Sequence, residues 1–109
     1  MTVAVTVQFP GFDANAYEAV HELIVGEGVP EGLLLHTAGS LENGWQVLDI
    51  WASPKHFEDF SMNVLAPRLQ KAGITAKPNV TMVELYNVWA PGTTELAKVG
   101  ADPRPLVRA

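Results

Sequence analysis

Residues 2–9 alternate without a break, with Val3, Val5, Val7 and Phe9 on one side and Thr2, Ala4, Thr6 and Gln8 on the other. A period of two, rich in β-branched residues, predicts a strand. Pro10-Gly11 stops it. The period then changes: Tyr17, Val20 and Ile24 recur at helical spacing. Asp13 is placed to cap that helix, its carboxylate accepting a free N–H of the first turn, and Gly26 to close it in the left-handed conformation. The spacing predicts a helix over 14–25. After the loop 26–32 (GEGVPEG), Leu33 to Ala38 reads as a second strand and 45–51 as a third. Asn43-Gly44 between them is a hairpin signal, because both residues tolerate positive φ.

The segment Gln46 to Phe60 (QVLDIWASPKHFEDF) switches from strand to helix just after Trp51. Ser53 can cap and Pro54 is tolerated at the first helical position. Phe57, Phe60, Val64, Leu65 and Leu69 trace one face, and Pro67, which lacks an N–H, should kink the helix near 63–66. Ala72-Gly73 ends it. A fourth strand is expected over 80–89 (VTMVELYNVW), bounded by Pro91-Gly92. Residues 91–109 carry little pattern and read as a C-terminal tail or arm behind a domain spanning 1–90.

The order β-α-β-β-α-β is the ferredoxin-like α+β arrangement, one four-stranded antiparallel sheet with two helices on one face. Trp45, Val47 and Trp51 alternate with Leu48 and Ile50, and Val80, Met82 and Tyr86 with Val83, Leu85 and Trp89. A sheet with one wet face would alternate apolar with polar. A second copy of the chain across a two-fold axis is the expected cover.

The chain has 109 residues, one domain's length, and 48% of them are apolar, enough for a core. It has no cysteine, so disulfides and cysteine-ligated metals are out. With 7 basic and 12 acidic residues and a net charge of −5, it offers no cluster to neutralise phosphates. Nucleic acid and anionic membrane are therefore not expected partners. No signal peptide or spanning segment is recognised, and a soluble cytoplasmic protein is the expectation.

The string Trp51-Ala52-Ser53, followed by Phe57 and Phe60, resembles a short signature of the dimeric α+β barrel superfamily, closest to its antibiotic-biosynthesis-monooxygenase-like domains. The resemblance covers about residues 2–89. It implies a homodimer whose two sheets face each other as a barrel, with a pocket in each subunit between sheet and helices. Members of the family oxygenate aromatic polyketides without a cofactor, degrade haem or cyclise polyketides. The haem-degrading branch has an Asn on its first strand, a Trp where Phe60 stands and a ligand His ten residues later. This chain has Gln8, Phe60 and Gln70 there.

His36 lies mid-strand among leucines, and imidazole as a class moves protons near neutrality. Asp49 is the only acid in the run Val47 to Trp51, and a carboxylate there needs a partner. If Asn43-Gly44 form the centre of the turn, Trp51 lies opposite His36 and Asp49 sits diagonal to it on the same face. A loop one residue longer puts them on opposite faces. Trp51, Phe57 and Phe60 suit a flat hydrophobic ligand or an ordinary core, and the Tyr86 hydroxyl could bond a ligand carbonyl. His21 falls at the edge of the first helix's apolar face, and His56 is expected to face solvent. The three histidines have no metal-ligand spacing. The expected function is a cofactor-free enzyme for a hydrophobic or aromatic, polyketide-like molecule, acting through His36, Asp49 and Tyr86 by cyclisation, isomerisation or oxygenation. The alternative is a non-catalytic ligand-binding or structural homodimer.

Overall fold

The structure is a computed structural model and describes residues 1–75 and 77–99. Four strands, β1 (Val3–Pro10), β2 (Leu33–Leu41), β3 (Gly44–Trp51) and β4 (Asn79–Glu84), form one antiparallel sheet in the order β2-β3-β1-β4. Helices α1 (Ala14–Val25), α2 (Pro54–Phe60) and α3 (Ala66–Lys71) cover one face, and a short α4 (Thr93–Leu96) follows the sheet. This is the expected ferredoxin-like α+β fold. The predicted tail is described as far as residue 99; residues 100–109 lie outside the described residues.

The helix starts follow local chemistry. Asp13 accepts from the Ala16 N–H at 2.9 Å, and Ser53 Oγ from the His56 N–H at 3.2 Å. Gly26 is right-handed at φ −58°, and the left-handed residue after α1 is Gly28 at φ +93°. Between α2 and α3 the chain makes one π-helical turn, Ser61–Leu65. Pro67 has no N–H to return to the preceding turn, and the wider turn absorbs that missing bond without ending the helix.

Val3, Val5, Val7 and Phe9 of β1 point to the helices and form the core with Val20, Val47, Trp51, Phe57 and Leu69. Cross-strand pairing puts Trp45, Val47, Asp49 and Trp51 on that same face. Leu33, Leu34 and Leu35 cannot all alternate. A bulge between Leu33 and Leu35 lets Leu33 pair with Trp51 and join the core while Leu34 is left exposed.

Two expectations need correction. β4 ends at Glu84, not at residue 89. It ends level with the start of β1: Glu84 pairs with Val3, the Leu85 N–H bonds the Thr2 carbonyl at 2.9 Å, and Tyr86, Val88 and Trp89 stand exposed beyond. The outer face of the sheet is also only partly apolar. Ala4, Leu35, Leu48, Ile50 and Val83 occupy one end of it, while Gln8, Gln46 and Asn79 occupy the other, with Gln8 Nε2 donating to Gln46 Oε1 at 3.1 Å.

Gly44 earns its place by close approach rather than by turn conformation. A Cβ there would lie 2.7 Å from the Phe9 carbonyl oxygen, and its φ is not positive. Gly32 has both constraints, φ +83° and the His56 ring directly where a Cβ would go. Gly32→Ala is expected to cost about 1–3 kcal/mol, the usual range for a non-glycine residue held at positive φ. Denaturant midpoints measure it, with Gly39→Ala, which meets nothing within 4 Å, as the control. Equal midpoints for the two variants would contradict this packing.

Candidate active site

His36 on β2 and Asp49 on β3 are direct cross-strand partners. Leu41 pairs with Gly44, so Glu42 and Asn43 are the centre of the turn, and the register sits two residues from the one that Asn43-Gly44 predicts. Two residues is one pleat period, so His36 and Asp49 still share a face. It is the helix-covered face.

Asp49 is buried, with 5% of its surface accessible. A buried carboxylate needs hydrogen bonds, and the His36 Nδ1–Asp49 Oδ1 distance is 2.7 Å. An acceptor-only carboxylate at Nδ1 requires the proton on that nitrogen. Nε2 of a neutral His36 is then an acceptor, and the Tyr17 hydroxyl lies 2.5 Å from it. Tyr17 comes from the second turn of α1. His21, four residues on, shares its helix face and places Nδ1 3.3 Å from the same hydroxyl. The rings of Tyr17, His21 and His36 lie nearly parallel, 5.2–6.0 Å apart, and Trp45 tilts against Tyr17 at 5.2 Å. The His36 side chain is 30% accessible, so the chain Tyr17–His36–Asp49 runs from a half-open surface to a buried anion.

Beside this cluster a shallow groove of about 630 Å³ opens between the β1–α1 corner and the tip of the β2–β3 hairpin. Phe12, Asp13, Ser40, Glu42 and Trp45 are among its walls, and among the described residues no Lys or Arg lines it. Trp45 is the wall that the groove and the cluster have in common.

The other predicted residues lie elsewhere. Trp51 and Phe57 are buried, and Trp51 packs edge-on to Phe57 at 5.9 Å and tilted against Phe60 at 5.0 Å. They interlock in the core under α2. Tyr86 is fully exposed beyond β4 and is not brought to the cluster. His56 does not face solvent. It is half-buried over Gly32 with Nδ1 2.6 Å from Ser53 Oγ, while Lys55 and Asp59 pair on the outer side of α2. The pKa of the exposed Lys55 ammonium is held above its ordinary value, first by the hydrogen bond it donates to Asp59 and then by that carboxylate's charge. Sequence reasoning missed Tyr17 as a polar participant and treated His21 as marginal. Their i, i+4 spacing was visible; which strands α1 would cover was not. Among the described residues, no group of three or more His, Asp or Glu is placed to hold a metal ion, and no helix is long and apolar enough to cross a membrane.

No protein-family model matches the chain, and no curated protein matches it. Solved structures do match its fold. A variant of SnoaB, a cofactor-independent oxygenase from Streptomyces nogalater, superposes with a TM-score of 0.60 at 11% identity, over 80% of this chain and 95% of that one. A protein of unknown function from Nitrosomonas europaea gives 0.64 at 17% identity, over 84% and 95%. A candidate antibiotic biosynthesis monooxygenase from Chloroflexus aurantiacus gives 0.60 at 9% identity, over 84% and 100%. At such identities the likeness is one of fold, and chemistry has to be argued from the site. The chain shares its ferredoxin-like α+β fold with SnoaB and with the candidate antibiotic biosynthesis monooxygenase.

Proposed function

We propose that the chain is a small cofactor-independent enzyme that moves a proton on an uncharged hydrophobic or aromatic molecule. The observation that carries this is the hydrogen-bonded chain from the Tyr17 hydroxyl through His36 to buried Asp49. A carboxylate behind an imidazole fixes its tautomer and stabilises the imidazolium that forms when it takes a proton. Removing a proton next to a carbonyl leaves an enolate, from which cyclisation or isomerisation follows without a redox partner. Oxygenation is a variant in which that carbanion reacts with O₂, and the fold shared with SnoaB supports it. The groove beside Trp45 is the expected seat of the substrate. Its acidic walls and lack of cations favour an uncharged ring over a carboxylate or phosphate ester.

The assay is deuterium exchange in D₂O at the acidic carbon of an anthrone and of an aryl 1,3-diketone. Catalysed exchange is expected with at least one of them, and no acceleration over buffer with either would contradict the reading.

The reading includes a cytoplasmic homodimer. Leu35, Leu48, Ile50 and Val83 crowd one end of the sheet face opposite the core, and a second copy is the expected partner. Sedimentation equilibrium at micromolar concentration is expected to give about twice the mass of one chain; a well-folded single subunit would contradict it. A non-catalytic dimer is the second reading, and the interlocked Trp51, Phe57 and Phe60 favour it, because their rings pack on one another in the core and not on the walls of the groove.

A further inference from the structure

We propose that the sheet face opposite the core receives a second copy of this chain with the two-fold axis running along the strands, so that each row of side chains meets the same row of the partner. This rests on the homodimer reading above and adds the partner's orientation. Cross-strand pairing sorts that face into rows. Val83, Ala4, Ile50 and Leu35 form an apolar row at one end. Asn79, Gln8 and Gln46 form an amide row near the other, with Gly39 beside them. Thr81, Thr6, Leu48 and Thr37 lie between the two. None of these positions is charged, although 17% of the chain is. The centres of protein interfaces are depleted of charge in the same way. A chain of net charge −5 approaches its own copy most easily through such a face, and a basic partner would find no carboxylate in these rows.

Two aligned sheets packed face to face have their two-fold axis along the strands or across them. An axis across the strands turns the face end for end. The amides would then be buried against the threonine and apolar rows and lose water without gaining partners. An axis along the strands keeps every row at its own height, so apolar meets apolar and amide meets amide. Gln8 Nε2 already donates to Gln46 Oε1 at 3.1 Å. That bond leaves Gln8 Oε1 to accept and Gln46 Nε2 to donate. β3 and β1, which carry them, are the two central strands. An axis between these strands sets Gln46 Nε2 against the partner subunit's Gln8, and does so twice. Facing sheets lie about 10 Å apart, a gap that glutamines reaching in from both sides can close. Four amides then form one ring of hydrogen bonds, and no charge is buried. The groove beside Trp45 opens at the hairpin tip, so both grooves of the dimer fall at the same end.

The chain has no cysteine, so a single introduced one reports alone. Asn43→Cys puts a nitroxide label on the exposed hairpin tip. Double electron–electron resonance then measures the distance from tip to tip. With the axis along the strands the two tips share one end, and their backbones are expected to lie under about 20 Å apart. An axis across the strands parts them by the eight residues of β3, roughly 26 Å. A dimer with that longer separation would overturn the orientation while leaving the homodimer reading standing. A second measurement needs no label. Gln46→Glu and Gln46→Lys are each expected to weaken dimerisation at least about tenfold, since like charges then face each other in the matched row. An equimolar mixture of the two is expected to recover the dimer. A mixture as weak as its components, or either variant dimerising as tightly as the wild type, would overturn the matched rows. A wild type that sediments as a single chain removes both the orientation and the homodimer.

Discussion

His36→Gln slows substrate deuterium exchange at least about tenfold, and by up to about 10⁴-fold if proton transfer limits turnover. The size follows from what the imidazole does. It bridges the Tyr17 hydroxyl and the buried Asp49 carboxylate. Glutamine keeps an N–H donor for Asp49, so the variant separates lost proton transfer from a carboxylate left buried without a partner. His36→Ala does both and is expected to lose stability as well as rate. The measurements are initial exchange rates and denaturant midpoints on the same preparations. Unchanged exchange in His36→Gln would remove the imidazole from the chemistry.

Trp51→Ala is expected to be the most destabilising single substitution, by about 3–5 kcal/mol. Trp51 is fully buried, pairs with Val3 and Leu33 on either side, and carries Phe57 and Phe60 on its ring. Truncation empties the contact between β3 and α2. Trp51→Phe gives a sharper comparison. The Trp51 indole N–H is buried with no hydrogen-bond partner among the described residues, so its removal discards a liability along with some packing. The Phe variant is therefore expected to lie well below the Ala variant in cost. Equal losses, or a loss under about 1 kcal/mol in Trp51→Ala, would contradict the core assignment and reopen Trp51 as a cavity wall.

The parts of the fold legible in the sequence are those fixed by neighbours along the chain. β1 alternates because one of its faces is core. Asp13 and Ser53 cap because their side chains reach only their own first turn. Pro67 disturbs its helix because the missing N–H is a local fact. The less legible parts depend on partners distant in sequence. Asn43-Gly44 looks like the turn, but Gly44 is needed where β3 passes the Phe9 carbonyl, which moves the turn to Glu42-Asn43. The sequence leaves open whether His36 and Asp49 share a face, and the observed register, two residues from the Asn43-Gly44 one, keeps them on the same face. Tyr86 and Trp89 have strand propensity, yet the ladder between β1 and β4 ends at the Val3–Glu84 pair and both stand exposed beyond it. Tyr17 reads as one more apolar helix position until α1 is laid over β2 and β3. Trp51, Phe57 and Phe60 are aromatic in either a pocket or a core, and only their packing decides.

The central claim is the hydrogen-bond chain itself, and it can be tested without a substrate. Long-range ¹H–¹⁵N correlation spectra of the imidazoles at neutral pH are expected to show His36 with its proton on Nδ1 and an unprotonated, hydrogen-bonded Nε2, whose shift moves in Tyr17→Phe. A His36 signal protonated on Nε2, or one indifferent to both Tyr17→Phe and Asp49→Asn, would contradict it.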